Sequence, residues 1–332
     1  MIKAAERQQT VTTKDIPSPE IHVAPSPHLG NTHFSTRRMM IDVLIALVPA
    51  MGMALYLFRE YALRQLLIGI GACLVSELIF VRLRGTNVSL KDCSAAVTGV
   101  ILALSMPPTA PWYATAIAAV VAIGLGKILF GGLGMNIFNP AMVGRAFVMI
   151  SFAGVMGAGA YEATGTLVDA LSQATPMNAF KQAGVLAPVP QLFWGLTNGS
   201  LGETSAVACL LGGIYLCVRR TASWEIPVAM IATVIVIASI PDMAGYHGGR
   251  LIMHHVLGGA LLFGAFFIAT DPVGSPLTPK GKTIFGIGAG ALVMLLRLYS
   301  GYPEGVMFAV LLMNAVTPLI NRWTIPRTMG EY

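Results

Sequence analysis

The 332-residue chain is strongly apolar: 55% of its residues are hydrophobic, 11% are charged, and its mean hydropathy is +0.72. Soluble domains carry about 25% charged residues, so this composition excludes a soluble protein and predicts a polytopic protein whose surroundings are the lipid bilayer. The net charge of +6 does not indicate nucleic-acid binding. Lys and Arg lie mostly between apolar segments, where they set membrane orientation.

Residues 1–36 are polar and contain four prolines, which predicts a mostly extended cytoplasmic tail. Ten apolar segments follow, so we expect an all-α integral membrane protein with about ten transmembrane helices. A membrane span needs about 20 residues, with about 17 as the lower limit, and several segments are shorter. We therefore expect some helices to be broken, tilted or sunk into the bundle. The segments are Met39–Phe58, Ala62–Val81, Cys93–Met106, Trp112–Phe130, Pro140–Met156, Gly202–Val218, Ile226–Ile240, Ile252–Thr270, Ile284–Ser300 and Gly305–Ile320.

The distribution of basic residues predicts the orientation of these segments. With the N-terminus in the cytoplasm, most Lys and Arg residues fall on the inner side, as the positive-inside rule requires. Both termini, including residues 322–332, are then cytoplasmic, and the long loop between the fifth and sixth segments faces outward. The basic residues that fall on the outer side are Arg59, Arg64, Lys181, Arg250 and Arg297.

An internal repeat supports ten segments. Gly99, Pro107 and Pro111 near the end of the third segment recur as Gly264, Pro272 and Pro276 near the end of the eighth, each 165 residues later. A repeat of five spans must be inverted in the membrane, because five is odd, and inverted repeats place ligand sites at their interface. We expect repeats at 37–156 and 202–321, although glycine and proline near helix ends also match by chance.

The loop 157–201 is long for a membrane-protein connection, and such loops are usually functional or disordered. It contains Asp169, Ser172, Ala174 and Thr175, followed by Pro176. Pro176 biases Thr175 toward extended geometry, and the small neighbours leave its hydroxyl accessible. From chemistry alone, such a polar cluster is more often a plain turn.

The pattern Asp-x-x-Ser-x-Ala-Thr at 169–175 resembles the flavin-attachment motif of the Rnf and Na⁺-translocating NADH:quinone reductase complexes. In that family, a flavin transferase joins the phosphate of FMN to the threonine hydroxyl. The resemblance therefore implies a covalent FMN on Thr175, with Asp169, Ser172 and Ala174 as its motif, in a periplasmic loop of a bacterial inner-membrane protein. The chain is most similar to the Rnf branch, because Gln173 stands where the quinone-reductase branch usually has Gly.

The resemblance runs from Ser26 to the region of the last segments, and its blocks occur in the expected order. It implies a membrane part whose shape resembles urea and ammonium channels. The segment before Ser26 is an extension without an assigned role. The matching blocks include Ser26-Pro27-His28, 131–142, Thr270-Asp271-Pro272-Val273 and Gly301-Tyr302-Pro303.

A glycine-rich stretch, 131–140, lies on the predicted inner side. Asn139 can cap the helix that follows and Pro140 fits its first turn, but capping does not explain Asn136. By resemblance to the quinone-reductase branch, Asn136 and Asn139 are candidates for holding a second, non-covalent flavin, riboflavin. Two alternatives stay open for these asparagines: a structural role in the turn and helix cap, or binding of a flavin. No βαβ context surrounds the glycines, so they are not a dinucleotide fingerprint.

Asp271 lies on the same predicted side, at the inner end of the eighth segment. It could cap a helix or bond the backbone that Pro272 frees, or it could help to bind flavin or a passing cation. Arg145 and Glu77 lie within segments and invite functional hypotheses, because intramembrane charges are costly. Arg145 could contact a flavin or a partner, or its guanidinium could snorkel to the interface. For Lys127 and Arg297, near segment ends, we expect snorkelling.

No clustered thiolates, metal-ligand spacing or catalytic triad occurs in the sequence, so we expect no active site complete within this chain. The resemblance implies a subunit that relays electrons between ferredoxin and NAD⁺ while the complex moves Na⁺ or H⁺. Its implied partners are the other Rnf subunits (A, B, C, E and G) and the maturing flavin transferase. Two alternatives are the corresponding B component of the related quinone reductase and an inverted-repeat permease or channel without a redox role.

Overall fold

Helices are the only regular elements in the described part of the chain. The computed structural model describes residues 35–85, 90–156, 186–243, 250–300 and 305–326, together with Pro176. A 3₁₀ turn at Leu90–Asp92 precedes α3, and π-helical turns at Gly124–Ile128 and Gly264–Ile268 continue α4 and α11. The helices are α1 (Thr36–Phe58), α2 (Glu60–Arg84), α3 (Ser94–Ser105), α4 (Trp112–Ile123), α5 (Pro140–Ser151), α6 (Ala153–Met156), α7 (Val189–Trp194), α8 (Ala206–Val218), α9 (Glu225–Met243), α10 (Arg250–Leu257), α11 (Leu261–Phe263), α12 (Pro279–Tyr299) and α13 (Val306–Thr324).

Four of these helices, α1, α2, α12 and α13, are long and apolar enough to cross a membrane. Shorter apolar helices include α3, α5 and α8. Large apolar side chains such as Leu83 and Val218 are more than three-quarters exposed, which suits a surface that faces lipid. The expected all-α, multi-pass membrane class is therefore confirmed.

The eighth predicted segment, Ile252–Thr270, is interrupted as the short segments led us to expect. Helix α10 ends at Leu257, Gly259 has a positive φ of 69°, and the chain resumes as α11. Helix α12 begins earlier than its apolar pattern, at Pro279. The Thr278 side chain accepts a hydrogen bond from Gly281 N, so a capped polar first turn with Lys280 and Lys282 extends the helix.

Small residues allow the helices to approach closely. A Cβ added to Gly99 would lie 2.7 Å from Ile70 Cα, so α3 and α2 are in backbone contact there. A Cβ on Gly264 would collide with Val306, and one on Gly212 with the carbonyl of Ala46. Such glycines are typical of helix packing in membranes, where association depends on close van der Waals contact. Both glycines of the sequence repeat, Gly99 and Gly264, have this packing role.

The helices from Thr36 onward belong to one compact unit. Helix α2 packs against α3 and α4, α4 packs against α5, and α9 packs along α12. Helix α1 packs on α8 and α5 packs on α13, so both of these pairs join earlier and later parts of the chain. A cavity lies near the N-terminal end of α1 and between parts of both halves, and it contains the residues described next.

Candidate functional site: a cavity lined by Asn136, Asn139 and Asp271

The cavity has a volume of about 80 Å³, below the roughly 300–1,000 Å³ of typical small-molecule pockets, so its walls would have to move apart around a ligand the size of a flavin. Its walls come from the starts of α1 and α3, the π-helical end of α4, the 131–140 stretch and the chain around 266–272. Asn136, Asn139 and Asp271, which the sequence singled out separately, all line it. Most of the remaining lining is apolar, including Met39, Phe267 and other aliphatic side chains.

Asn139 caps α5, as the sequence predicts. Its Oδ1 accepts hydrogen bonds from Ala141 N (3.1 Å) and Met142 N (3.4 Å), and Pro140 occupies the first helical position. Its Nδ2 donates to the carbonyl of Ile268, at 3.4 Å. Asn139 therefore has a complete structural role at the cavity wall and also connects the wall to the π-helix that ends at Ile268.

Asn136 is bonded on one side only. Its Nδ2 donates to Phe138 O at 3.1 Å, whereas its buried Oδ1 has no hydrogen-bond partner within the described part of the chain. Leaving a buried acceptor unsatisfied costs about 1–3 kcal/mol. The residue is 4% exposed and lines the cavity, but its Oδ1 is buried in the wall, so a ligand N–H could supply the missing donor once the side chain turned toward the cavity.

Glycines give the 131–140 stretch its shape. Gly131, Gly132 and Gly134 have φ values of 125°, 105° and 93°, which non-glycine residues rarely adopt. The amide of Gly132 donates to the carbonyl of Lys127, at 3.1 Å. The stretch is therefore folded against the π-helix that carries Lys127.

Asp271 lies in the connection that follows the Gly264–Ile268 turn. Its Oδ1 accepts a hydrogen bond from Val273 N at 3.2 Å, so the predicted bonding of backbone near Pro272 is present. Loss of water around the carboxyl raises the pKa of Asp271 to about 6, against the smaller lowering effect of the Val273 hydrogen bond. A carboxyl of this kind can carry a proton near neutral pH.

Lys127 also lines the cavity, and our snorkelling prediction for it is wrong. The side chain is 2% exposed, and its ammonium contacts Glu77 Oε1 at 2.7 Å and Ser94 Oγ at 2.6 Å. Ser94 in turn donates to Asp92 Oδ1, at 2.7 Å. A buried lysine needs such partners, because an isolated buried charge is very unfavourable. The sequence feature that could have indicated this pair is one acidic and one basic residue, Glu77 and Lys127, inside apolar segments 50 residues apart.

Two other charged side chains, Arg145 and Arg297, are also buried in the protein. Arg145 lies 3.6 Å from Glu203 Oε1 and donates to Ser200 Oγ at 3.4 Å, so it pairs within the protein instead of snorkelling. Arg297, predicted to snorkel, is 4% exposed and donates to the carbonyls of His255 and Gly258. Both guanidinium groups therefore join parts of the chain distant in sequence.

The proposed attachment motif cannot be described in the same way. Asp169, Ser172, Ala174 and Thr175 lie outside the residues that the structure describes. Their assignment as the covalent FMN site stays a prediction from the sequence.

The residues around the cavity suit an isoalloxazine ring. Such a ring presents one imide N–H between two carbonyl groups on an otherwise flat, largely apolar body. Asn136 Oδ1 could accept from that N–H, and apolar side chains such as Phe267 could cover the ring. The fit rests on the unsatisfied Asn136 acceptor and the mostly apolar lining.

The fold and site thus define an all-helical, multi-pass membrane protein with a mostly apolar cavity that Asn136 and Asn139 also line. Comparison with known proteins gives the family: the chain belongs to the NQR2, RnfD, RnfE family, whose model matches residues 22–330.

Curated relatives match along nearly their whole length. The chain is 41% identical to the D component of the Na⁺-translocating ferredoxin:NAD⁺ oxidoreductase complex of Acetobacterium woodii, covering 93% of this chain and 95% of that protein. It is 40% identical to the D component of the proton-translocating ferredoxin:NAD⁺ oxidoreductase complex of Clostridium ljungdahlii, covering 93% and 96%. It is also 40% identical to the D component of the ion-translocating oxidoreductase complex of Stutzerimonas stutzeri, covering 90% and 93%. The predicted kinship with the Rnf branch is therefore confirmed.

Proposed function

We propose that this chain is the D-type membrane component of an oxidoreductase complex that couples electron transfer between ferredoxin and NAD⁺ to movement of Na⁺ or H⁺. The observation that carries the proposal is the similarity, over more than 90% of both chains, to D components of complexes named for that activity. One of these relatives is named for Na⁺ and the other for protons. Similarity to them therefore does not identify the ion that is translocated. The chain acts with the other Rnf subunits (A, B, C, E and G).

The first redox group in this proposal is FMN bound through its phosphate to the hydroxyl of Thr175. A flavin transferase makes this phosphoester bond, and Asp169, Ser172 and Ala174 form the motif that it recognises. The support is the sequence pattern itself within a chain of this family. When bound, the flavin supplies the electron-transfer chemistry, and the chain supplies the attachment atom and the loop that carries it.

The second redox group is riboflavin in the inner cavity. Asn136, with its unsatisfied Oδ1, would bind the imide edge of the ring. Asn139 holds the cavity wall in position, and Asp271 lines the cavity nearby. Two flavins on opposite faces would let electrons cross the bilayer.

The proposed frame is ten spans in two inverted repeats, 37–156 and 202–321, on either side of the flavin-bearing loop 157–201, with a channel-like overall shape. The contacts of α1 with α8 and of α5 with α13 support it, because they join the first and the last segments of the two repeats. Exposed aromatic side chains near helix ends suit membrane interfaces; they include Tyr56, Trp112 and Tyr299 on the proposed periplasmic side and Trp224 and Trp323 on the cytoplasmic side. The protein would lie in the bacterial inner membrane with both termini in the cytoplasm.

In-gel fluorescence tests the covalent flavin. The full-length chain from a host with the flavin transferase should give a fluorescent band after denaturation and a mass increase of one FMN less one water. Thr175→Ala should abolish both, and expression without the transferase is the matched control. A non-fluorescent wild-type band, from a host shown to flavinylate another substrate, would refute the attachment and favour a permease without a redox role.

A further inference from the structure

Lys127 lines the same cavity as Asn136, and its ammonium is bonded to Glu77 and Ser94 in the cavity wall. Of the described residues that line this cavity, Lys127 and Asp271 are the ones with ionisable side chains. Lys127 is 2% exposed and Glu77 is 1% exposed, so neither charge is screened by bulk water. Interactions of such charges with a ligand are therefore stronger than those of surface lysines.

The backbone fixes Lys127 relative to the two asparagines. Lys127 lies in the Gly124–Ile128 π-helix, and such turns recur at functional sites. A Cβ on Gly126 would lie 2.8 Å from Pro140 Cα, so the π-helix is in direct contact with the residue after Asn139. The Lys127 carbonyl also accepts the Gly132 amide. The cation and the amide groups thus belong to one rigid wall.

Two carboxylates lie close to the ammonium of Lys127. Glu77 contacts it directly, and Asp92 contacts it through the Ser94 hydroxyl. A buried ion pair is weak as a source of stability, since desolvation offsets most of its attraction. In the wall of a ligand cavity, the charge of the ammonium would also act electrostatically on a bound ligand.

We propose that Lys127, held in place by Glu77, is a positioning residue that stabilises the reduced form of the flavin in the inner cavity. This inference rests on the proposed second flavin. Reduction adds negative charge to the ring system, so a nearby fixed cation favours the reduced state and raises its reduction potential. Lys127 would act by its charge, whereas Asn136 would act by a hydrogen bond.

Opposite charge changes in the same ion pair separate this role from a structural one. Lys127→Met and Glu77→Gln both break the pair, but the first removes positive charge from the cavity wall and the second removes negative charge. Loss of packing would change both variants alike. A charge effect should move the flavin potential in opposite directions.

The experiment uses full-length chain carrying Thr175→Ala, so that riboflavin in the cavity is its only flavin, followed by spectroelectrochemical titration. Lys127→Met should lower the preference for reduced over oxidised flavin about tenfold, which is about 30 mV for a two-electron couple. Glu77→Gln should raise it, and Lys127→Arg should stay near the parent. Shifts of the same sign, or no shift in either variant, would overturn the inference.

A double variant guards against misfolding. Lys127→Leu with Glu77→Leu buries no charge and should fold even where the single variants do not; its potential should fall below that of the parent. An unchanged potential would again overturn the role of Lys127 while leaving the second flavin intact. If the Thr175→Ala parent retains no flavin and binds no added riboflavin, the proposed second flavin is wrong, and this inference falls with it.

Discussion

Asn139 links two parts of the chain that lie 129 residues apart, because its Nδ2 donates to the carbonyl of Ile268 while its Oδ1 caps α5. The two functions can be separated by substitution. Asn139→Ser keeps a good N-cap but has no amide donor, whereas Asn139→Ala removes both. Loss of a cap costs about 1 kcal/mol, and a net hydrogen bond contributes about 1 kcal/mol.

We therefore expect Asn139→Ala to destabilise the chain by about 2 kcal/mol and Asn139→Ser by about half as much. The measurement is the unfolding midpoint of detergent-solubilised protein without flavin. Equal losses in the two variants would mean that the cap contributes nothing here.

Asn136 offers a second prediction, for which Asn314 is the matched control. Both are buried asparagines whose Oδ1 has no hydrogen-bond partner in the described part of the chain, but only Asn136 lines the cavity. In the Thr175→Ala chain, Asn136→Ala should weaken riboflavin binding about tenfold, since one hydrogen bond to a ligand is worth roughly 1–1.5 kcal/mol. Asn314→Ala should leave the affinity unchanged.

Fluorescence titration with added riboflavin measures both affinities. Equal weakening by the two substitutions would point to a general packing defect, and unchanged binding in Asn136→Ala would remove this residue from the site.

The apolar pattern predicted most of the helices, and Asn139-Pro140 predicted the N-terminal cap of α5. Both features depend on residues that are neighbours in the sequence. The pairing of Lys127 with Glu77 could not be read in this way, since the two charges lie 50 residues apart and only the packing of α2 on the end of α4 brings them together. Snorkelling was expected because Lys127 and Arg297 lie near segment ends. Instead, Lys127 pairs with Glu77 and Ser94 inside the protein, and Arg297 donates to backbone carbonyl groups.

The cavity itself was only partly foreseeable. The resemblance and the positive-inside pattern put Asn136, Asn139 and Asp271 on one side of the membrane. Their common lining of one cavity follows from the close approach of the 131–140 stretch to the chain around Ile268, a tertiary contact without a local signal. The start of α12 at Pro279 was missed because a polar first turn has no apolar periodicity.

Asp271 gives a prediction about pH. Its pKa in the folded chain is raised to about 6, whereas an unfolded Asp titrates near 3.9. The charged form is therefore disfavoured in the folded state. The resulting loss of stability develops as pH rises from about 4 to about 6 and is complete above it. We expect Asp271→Asn to be more stable than wild type by about 3 kcal/mol at pH 8 and by less than about 1 kcal/mol at pH 4.

Thermal unfolding in detergent at both pH values measures this difference, and Asn can still accept the hydrogen bond from Val273 N. A variant equally stabilised at pH 4 and pH 8 would show that the charge of Asp271 is irrelevant to folding.

The buried pair of Arg145 and Glu203 should be costly to break from one side. Removing one partner of a buried ion pair typically costs about 3–5 kcal/mol, because the other charge is left uncompensated, whereas replacing both by apolar groups can be neutral. We expect Arg145→Met to lower the unfolding midpoint sharply, and Arg145→Met with Glu203→Leu to recover most of it. A double variant no better than the single one would mean that the two charges are not coupled.

Cysteine labelling tests the proposed orientation of the loop at 157–201. In a background without the four native cysteines, Ala170→Cys should react with a membrane-impermeant thiol reagent in intact spheroplasts, because the Lys and Arg distribution puts that loop outside. Lys280→Cys, an exposed position at the start of α12 on the opposite proposed side, should react only after permeabilisation. The reverse labelling pattern would show that the topology is inverted. Thr175 would then lie on the cytoplasmic face and Asn136 on the periplasmic side.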